Sequence, residues 1–521
     1  MSFIKVENPT SIQNKSIDSK DQSSSEDQAI KDSSIDEISS VTNEAYVAWN
    51  NYKNTSGKVR AAFLRAIANN IERLGEQLIQ VTSEESGLPE ARIRGERGRT
   101  CNQIRQFADL VEEGSWVNAT IELGEPSRSP IPKPDLRKME SSIGPIAVFT
   151  ASNFPLAFST AGGDTVSALA AGCPVIIKAH PAHPRTNQLV SGAIHKAVLE
   201  CQLPKGTFAT VYGPINVGKQ LVLDPLIKGI AFTGSFQGGK SIYALAHTRV
   251  VPIPVYAEMG SINPVFILPH KMDKEYQQLA TQMACSINLG AGQFCTNPGV
   301  IVVEKSSSAR KFITAMENHM KLMGSSTMLT ERICSSFTNK RMECISRDGV
   351  ESFNEADAIK SDNPRMAYPS FASISAKKFI HNRSFHEEIF GPFSLIVLCK
   401  DKVEMHTVAE SIEGQLTSSI MADESEISNY SNMVDTLSQK SGRIIYNGVP
   451  TGVEVSRAMH HGGPFPATTG SKYTSVGTDA IYRFTRPICY QNTPNIILPE
   501  ELQDQNPLSI WRNVNGERTK S

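Results

Sequence analysis

The chain lacks the features that mark the special classes of protein. No segment approaches about 18 uninterrupted apolar residues, so no transmembrane helix is expected. Residues 1–15 show neither the basic end nor the apolar block of a secretory signal, and a cytoplasmic protein is expected. Charge of either sign is barely in surplus: Lys+Arg 52 against Asp+Glu 53 leaves −1, with no global footprint for nucleic acid or an anionic membrane. Cysteine is sparse and scattered. The nine residues contain no CxxC pair, which argues for reduced thiols and against a disulfide framework. No HExxH occurs, and His180 and His183 sit between prolines that oppose a helical metal face, so no metal is expected. No GxGxxG and no repeat of fixed period are present.

What remains is globular. Hydrophobic residues make up 40% and charged residues 20% of 521, and the length suggests about three to four domains. Residues 1–36 stand apart: the first 40 hold eleven Ser, eight Asp/Glu and four Lys, the composition of a mobile acidic tail. From Ser56, Val59, Phe63, Ile67, Ile71, Leu74, Leu78 and Val81 recur at helical steps, with Thr55 or Ser56 as N-cap. A second helix is expected from about Pro89 to Glu113. Prolines 126, 130, 132 and 134 then punctuate a polar stretch. Short β-branched runs at 146–150, 174–178, 208–212, 229–233, 263–268 and 300–304 alternate with helix-length segments. That alternation predicts βαβ units and an α/β fold with parallel sheet.

Two strand–turn–helix segments suit phosphate. Gly213 to Lys219 has the GxxxxGK spacing of a nucleotide triphosphatase loop. However, Gln220 replaces the Mg²⁺-ligating hydroxyl, and Pro214 removes an N–H. The other turn is Phe232-Thr-Gly234-Ser235, with Gly239 beyond.

The most informative stretch is Gly290-Ala-Gly-Gln-Phe-Cys295-Thr-Asn-Pro-Gly299. Glycine permits close approach, nearby N–H groups suit an oxyanion, and placement at a helix end lowers a thiol pKa from about 8.5. Cysteine hydrolases need a paired His, and none lies near in sequence. Glu258 ends an apolar run and is a candidate base.

In this order the motifs resemble the aldehyde dehydrogenase superfamily. Ala151-Ser-Asn153-Phe-Pro155 is similar to the family's W-N-F-P turn. Lys178 follows a strand, and Phe232-Thr-Gly234-Ser235 with Gly239 fits F-T-G-S-x-x-x-G. Glu258 heads E-M-G-S-I-N-P, Cys295 closes G-Q-F-C, and residues 387–392 read E-E-I-F-G-P. The texture around 151–158, 178–184 and 461–468 is similar to the α-ketoglutaric semialdehyde (2,5-dioxovalerate) branch, and shares much with NADP-preferring fatty aldehyde dehydrogenases.

The resemblance implies NAD(P)-dependent oxidation of a small aldehyde, α-ketoglutaric semialdehyde foremost. Cys295 would be the nucleophile, Asn153 the oxyanion donor and Glu258 the deacylation base. Lys178, Gly234, Ser235, Glu388 and Phe390 would hold the dinucleotide, NADP or NAD. The family's usual ribose carboxylate is Pro181 here, and Lys178 and Arg185 add positive charge, which favours NADP. Arg105 is a candidate partner for the substrate carboxylate.

The implied architecture is a doubly wound cofactor domain (37–124, 143–264 and 465–483) with an α/β catalytic domain (265–464). A small β oligomerisation extension (125–142 and 484–521) would make a homodimer or homotetramer. The alternatives are an aliphatic aldehyde substrate, acyl transfer to coenzyme A, a non-catalytic binding protein and a P-loop ATPase. Intact Asn153, Glu258, Cys295 and Glu388 oppose the third, and Gln220 opposes the last.

Overall fold

The computed structural model describes residues 30–353 and 363–521. Asp32–Ser521 forms one compact unit. Most of the expected acidic tail therefore lies outside the described residues. Its last part is helix: Ser34 caps α1 (Ile35–Tyr52) in a reciprocal capping box with Glu37.

Ser56 is the N-cap of α2 (Gly57–Arg73), its Oγ accepting from Val59 N–H at 3.3 Å. The long periodic run is two helices, not one. Gly75 adopts φ +57° and starts α3 (Gly75–Ser86) on a new axis. Gly87 at φ +70° ends it, and α4 (Glu90–Glu113) follows.

The apolar runs are strands within a residue or two of expectation. One five-stranded, all-parallel sheet runs Phe208–Val211, Val175–Lys178, Ile146–Phe149, Gly229–Thr233, Val255–Glu258. The chain winds outward one way from Ile146–Phe149 and then returns to its other side. That reversal is the switch point at which doubly wound sheets bind ligands. Asn153 and Gly234 leave the adjacent strand ends there. A seven-stranded sheet contains Val265–Ile267, Val300–Glu304 and Gln415–Met421; six strands are parallel and Glu351–Phe353 is antiparallel. The third sheet joins Thr120–Glu122 and Leu136–Ser142 to Thr485–Gln491 and two C-terminal strands, so it begins five residues before the expected 125. Among the described residues, no helix is long and apolar enough to cross a membrane.

Candidate active site

Three chain segments far apart in sequence meet at Cys295. Its loop bends through three consecutive left-handed residues, Gly290, Ala291 and Gly292, at φ +58°, +56° and +66°. A Cβ on Gly292 would stand 2.2 Å from the Gly391 carbonyl, so the glycine lets the G-Q-F-C loop touch the E-E-I-F-G-P loop. Asn263, at the end of the Glu258 motif, donates from Nδ2 to Cys295 O at 2.8 Å and Asn297 O at 3.0 Å. Asn153 donates from Nδ2 to Gln293 O at 3.1 Å, two residues before the thiol. A carboxamide nitrogen carries two hydrogens, so one is left for a ligand oxygen.

Glu258 ends the last strand of the five-stranded sheet and is buried. Segment 461–475 folds back along this strand, with Met259 N–H donating to Ala467 O and Thr469 N–H to Ala257 O. That return delivers His461, which is 1% exposed, between the two acidic groups. Its Nε2 lies 3.4 Å from Cys295 Sγ and 3.1 Å from Glu258 Oε1. Ser475 donates to Glu258 Oε2. The sequence reading missed His461 as a site residue because 166 positions separate it from Cys295. Its conspicuous H-G-G-P-F-P-A-T setting was the available signal.

The thiol does not have the expected environment. Cys295 follows a short 3-10 turn and heads no helix. Burial, then the neighbouring Glu258 carboxylate, pushes its pKa well above the ordinary value. Burial also pushes Glu258 up, but His461, Ser475 and Cys295 outweigh it and hold that carboxyl below its usual range. The proton acceptors within reach of the thiol are the Glu258 carboxylate and the His461 ring. A His461→Ala variant is expected to alkylate at Cys295 with iodoacetamide about 100-fold more slowly at neutral pH, read by mass spectrometry. Unchanged labelling would remove His461 from this role. The atoms of Glu258, Cys295 and His461 lie within 4.8 Å of one another. A thiophilic cation held there would occupy the nucleophile.

The expected cofactor residues gather at the switch point and across from it. Ser235 caps the helix Phe236–Ala246, accepting from Gly238 N–H at 3.2 Å, and both Gly234 and Ser235 are exposed. Gly239 is required for packing, since a Cβ would meet Met259 at 2.6 Å. Glu388 and Phe390 line a cleft of about 440 Å³ with Ser261, Gly292 and Asn297. A Cβ at Gly260 would stand 2.6 Å from Glu388 Oε2, so the carboxylate lies against bare backbone. Burial pushes the Glu388 carboxyl up to about 7, against Lys340 and the Ser261 N–H. Lys178 Nζ donates to Ala179 O at 3.0 Å.

Two expected cations are already engaged. Arg105 forms a bidentate pair with Glu72 at 2.8 and 2.7 Å, on a different face of α4 from the residues that meet the site. Arg185 pairs with Glu84 at 3.3 Å. The GxxxxGK segment has its strand–turn–helix form, but Lys219 is exposed. His180 and His183 stack at 5.5 Å, with desolvation holding both pKa values low, as in packed core imidazoles.

Comparison with known proteins agrees with this geometry. The aldehyde dehydrogenase family model matches residues 11–486. An α-ketoglutaric semialdehyde dehydrogenase of Acinetobacter baylyi is 43% identical over 490 residues, covering 94% of this chain and 92% of its own. A second, from Azospirillum brasilense, is 45% identical over 470 residues, covering 90% and 89%. The fold is that of glyceraldehyde-3-phosphate dehydrogenase from Methanocaldococcus jannaschii, solved with NADP, at TM-score 0.73 and 20% identity over 89% of this chain and 95% of the other. A match along nearly the whole chain, with relatives above 40% identity, means that this chain belongs to the aldehyde dehydrogenase family.

Proposed function

We propose that this protein oxidises α-ketoglutaric semialdehyde to α-ketoglutarate with NAD or NADP. The observation that carries the chemistry is the meeting of Cys295, His461 and Glu258 beside the Asn153 carboxamide. The substrate rests on the printed activity of the two relatives at 43% and 45% identity.

The Glu258–His461 pair takes the thiol proton, and Cys295 attacks the aldehyde carbon. The free Asn153 Nδ2 hydrogen and the Cys295 N–H face the oxygen that gains charge. Donors fixed in place before the reaction are worth most there. The exposed Gly234–Ser235 turn at a helix N-terminus suits a pyrophosphate, and Glu388 suits ribose hydroxyls. When bound, the dinucleotide supplies the hydride acceptor that turns the thiohemiacetal into a thioester. Glu258 then activates water, and the acid leaves. Retention of this base favours hydrolysis over transfer to coenzyme A.

Both cofactors are expected to work. Pro181 offers no carboxylate to repel a 2′-phosphate, but the side chain of Asp32 lies against Gly213 and acts on Lys178, restoring some negative charge. The third sheet leaves the strand Thr485–Gln491 at an edge, largely exposed, and pairing of that edge between copies supports a homo-oligomer. A cytoplasmic location and the two-domain division with its β extension complete the reading.

Ionised Glu388 is needed to accept hydroxyl donors. Cofactor affinity is therefore expected to be full above about pH 7 and to weaken as pH falls through that value. Stability of the free protein should run the other way. A carboxyl raised on folding contributes most when protonated, and that contribution is lost as pH rises through about 7. Fluorescence titration with the dinucleotide between about pH 6 and 8 reads the first effect. A Glu388→Gln variant with the same pH slope would assign it elsewhere.

The deciding assay is nicotinamide reduction with the semialdehyde or a medium-chain aldehyde, each with NAD or NADP. Cys295-dependent turnover that favours the semialdehyde supports the proposal. Preference for the aliphatic aldehyde would keep the mechanism and discard the substrate.

A further inference from the structure

Helix α4 turns one face toward the site, carrying Arg92, Glu96 and Arg99 at positions i, i+4 and i+7. Two of the three hold the loops around the site through hydrogen bonds, although Arg92 Nη1 and Glu96 Oε2 keep no partner. Arg92 donates to Asn153 O at 2.7 Å and lies 5.0 and 4.9 Å from the Phe154 and Phe294 rings, so it clamps the oxyanion loop to the nucleophile loop. Glu96 Oε1 accepts from Leu156 and Ala157 N–H at 2.8 and 2.9 Å, and Arg92 is its stronger cationic neighbour.

Arg99 is different. It makes no hydrogen bond or ion pair among the described residues, and its Nη1 is sealed from solvent without a partner. Its guanidinium lies 5.5 Å from the Phe158 ring, and that ring lies 6.4 Å from the ring of His461, the residue that touches Cys295. The groups whose charge reaches it are Glu96, Cys295, Glu454 and Glu258. Glu96 is already served by Arg92, and Glu258 by His461 and Ser475. The cation that lowers the thiol pKa is Arg443, whose Nη atoms are spent on Pro450 O and Gly452 O. Glu454 is exposed and makes no ion pair with Arg99 among the described residues, so one cation on the Phe158 side of the site has no hydrogen-bonded anion. A guanidinium nitrogen sealed from water without an acceptor is costly unless an anion completes it.

We infer that Arg99 is the subsite for the carboxylate of the substrate, bound as a charge-assisted pair while the aldehyde end reaches Cys295 past Phe158. The inference rests on the proposed function for its natural ligand. It extends that reading to a ligand class: short aldehydes and acids with a carboxylate at the far end, here separated from the aldehyde carbon by three carbons.

The test uses the full-length protein and four arms: wild type, Arg99→Met, Arg99→Lys and Arg105→Met. Each is assayed with α-ketoglutaric semialdehyde, with pentanal, and with pentanal in the presence of glutarate. Arg99→Met is expected to raise KM for the semialdehyde about 10- to 100-fold with kcat changed by less than about threefold. It should leave pentanal oxidation intact and abolish competitive inhibition by glutarate. Arg99→Lys should recover part of the loss, since a point charge lacks the bidentate fork. Arg105→Met, on another face of the helix, should match wild type throughout. Equal losses on semialdehyde and pentanal would mean a structural role and overturn the inference.

The two proposals fail separately. Wild type that prefers the semialdehyde, with Arg99→Met unaltered, keeps the substrate and rejects the anchor. Wild type indifferent to the semialdehyde, yet inhibited by glutarate only when Arg99 is present, keeps the anchor and rejects the substrate. Glutarate inhibition that persists in Arg99→Met rejects the anchor.

Discussion

Replacing Glu258 by glutamine is expected to give one fast equivalent of reduced nicotinamide per subunit, then turnover about 100- to 10,000-fold slower than wild type. Both phases follow from the hydrogen bonds. In the proposed mechanism acylation uses the Cys295 thiol, with His461 at 3.4 Å, and glutamine leaves both in place. Deacylation needs a proton acceptor, and glutamine has none. The carboxylate is also the nearest negative charge opposing thiolate formation, so its loss should ease ionisation of Cys295. The burst should therefore be at least as fast as in wild type, and iodoacetamide labelling should quicken. Stopped-flow absorbance measures the burst and the steady rate in one trace. A Glu258→Gln enzyme that slows both phases equally would show that the carboxylate serves acylation, by holding His461, and would remove it as the water-activating base.

The second large effect is expected at Asn153. An Asn153→Ala enzyme should lose about 100- to 1,000-fold in kcat, or about 3–4 kcal/mol of transition-state stabilisation, with KM nearly unchanged. The side chain makes one described hydrogen bond, to Gln293 O at 3.1 Å. Its backbone is held separately through Arg92 on Asn153 O. Truncation therefore removes a donor without releasing the loop. Thermal unfolding should move little, and alkylation of Cys295 should proceed at the wild-type rate. Slow alkylation together with slow turnover would mean that the nucleophile loop had shifted, and the oxyanion role would then fall.

The motifs at Cys295, Glu258, Asn153 and Glu388 were readable because each is local. A turn, a cap or a strand end dictates nearby residues, and several such fragments in fixed order identify a family. Strand positions were readable for the same reason, since buried parallel strands are short β-branched runs bounded by Gly or Pro. The helix break at Gly75 was harder to read. The apolar period continues through it, and only the positive φ separates the two axes.

Three features did not follow from the residues in order. His461 reaches Cys295 because segment 461–475 is added along the edge of the strand that ends at Glu258, and no local pattern encodes that pairing. The thiol pKa was expected low from placement at a helix end. It is high because desolvation and a carboxylate from another strand act on it, and both depend on burial. Arg105 and Arg99 are equally plausible cations in the sequence. They sit six residues apart on one helix, about 240° round its axis, and the helix packing sends one to Glu72 and the other toward the site. By itself, then, the sequence determined the α/β class and the family, and named the candidate reacting groups, since these depend on residue type and short spacing. Only the tertiary structure decided which His meets the thiol, that Arg105 is spent on Glu72, and which proton affinities result, because those are set by neighbours distant in the chain and by the exclusion of water.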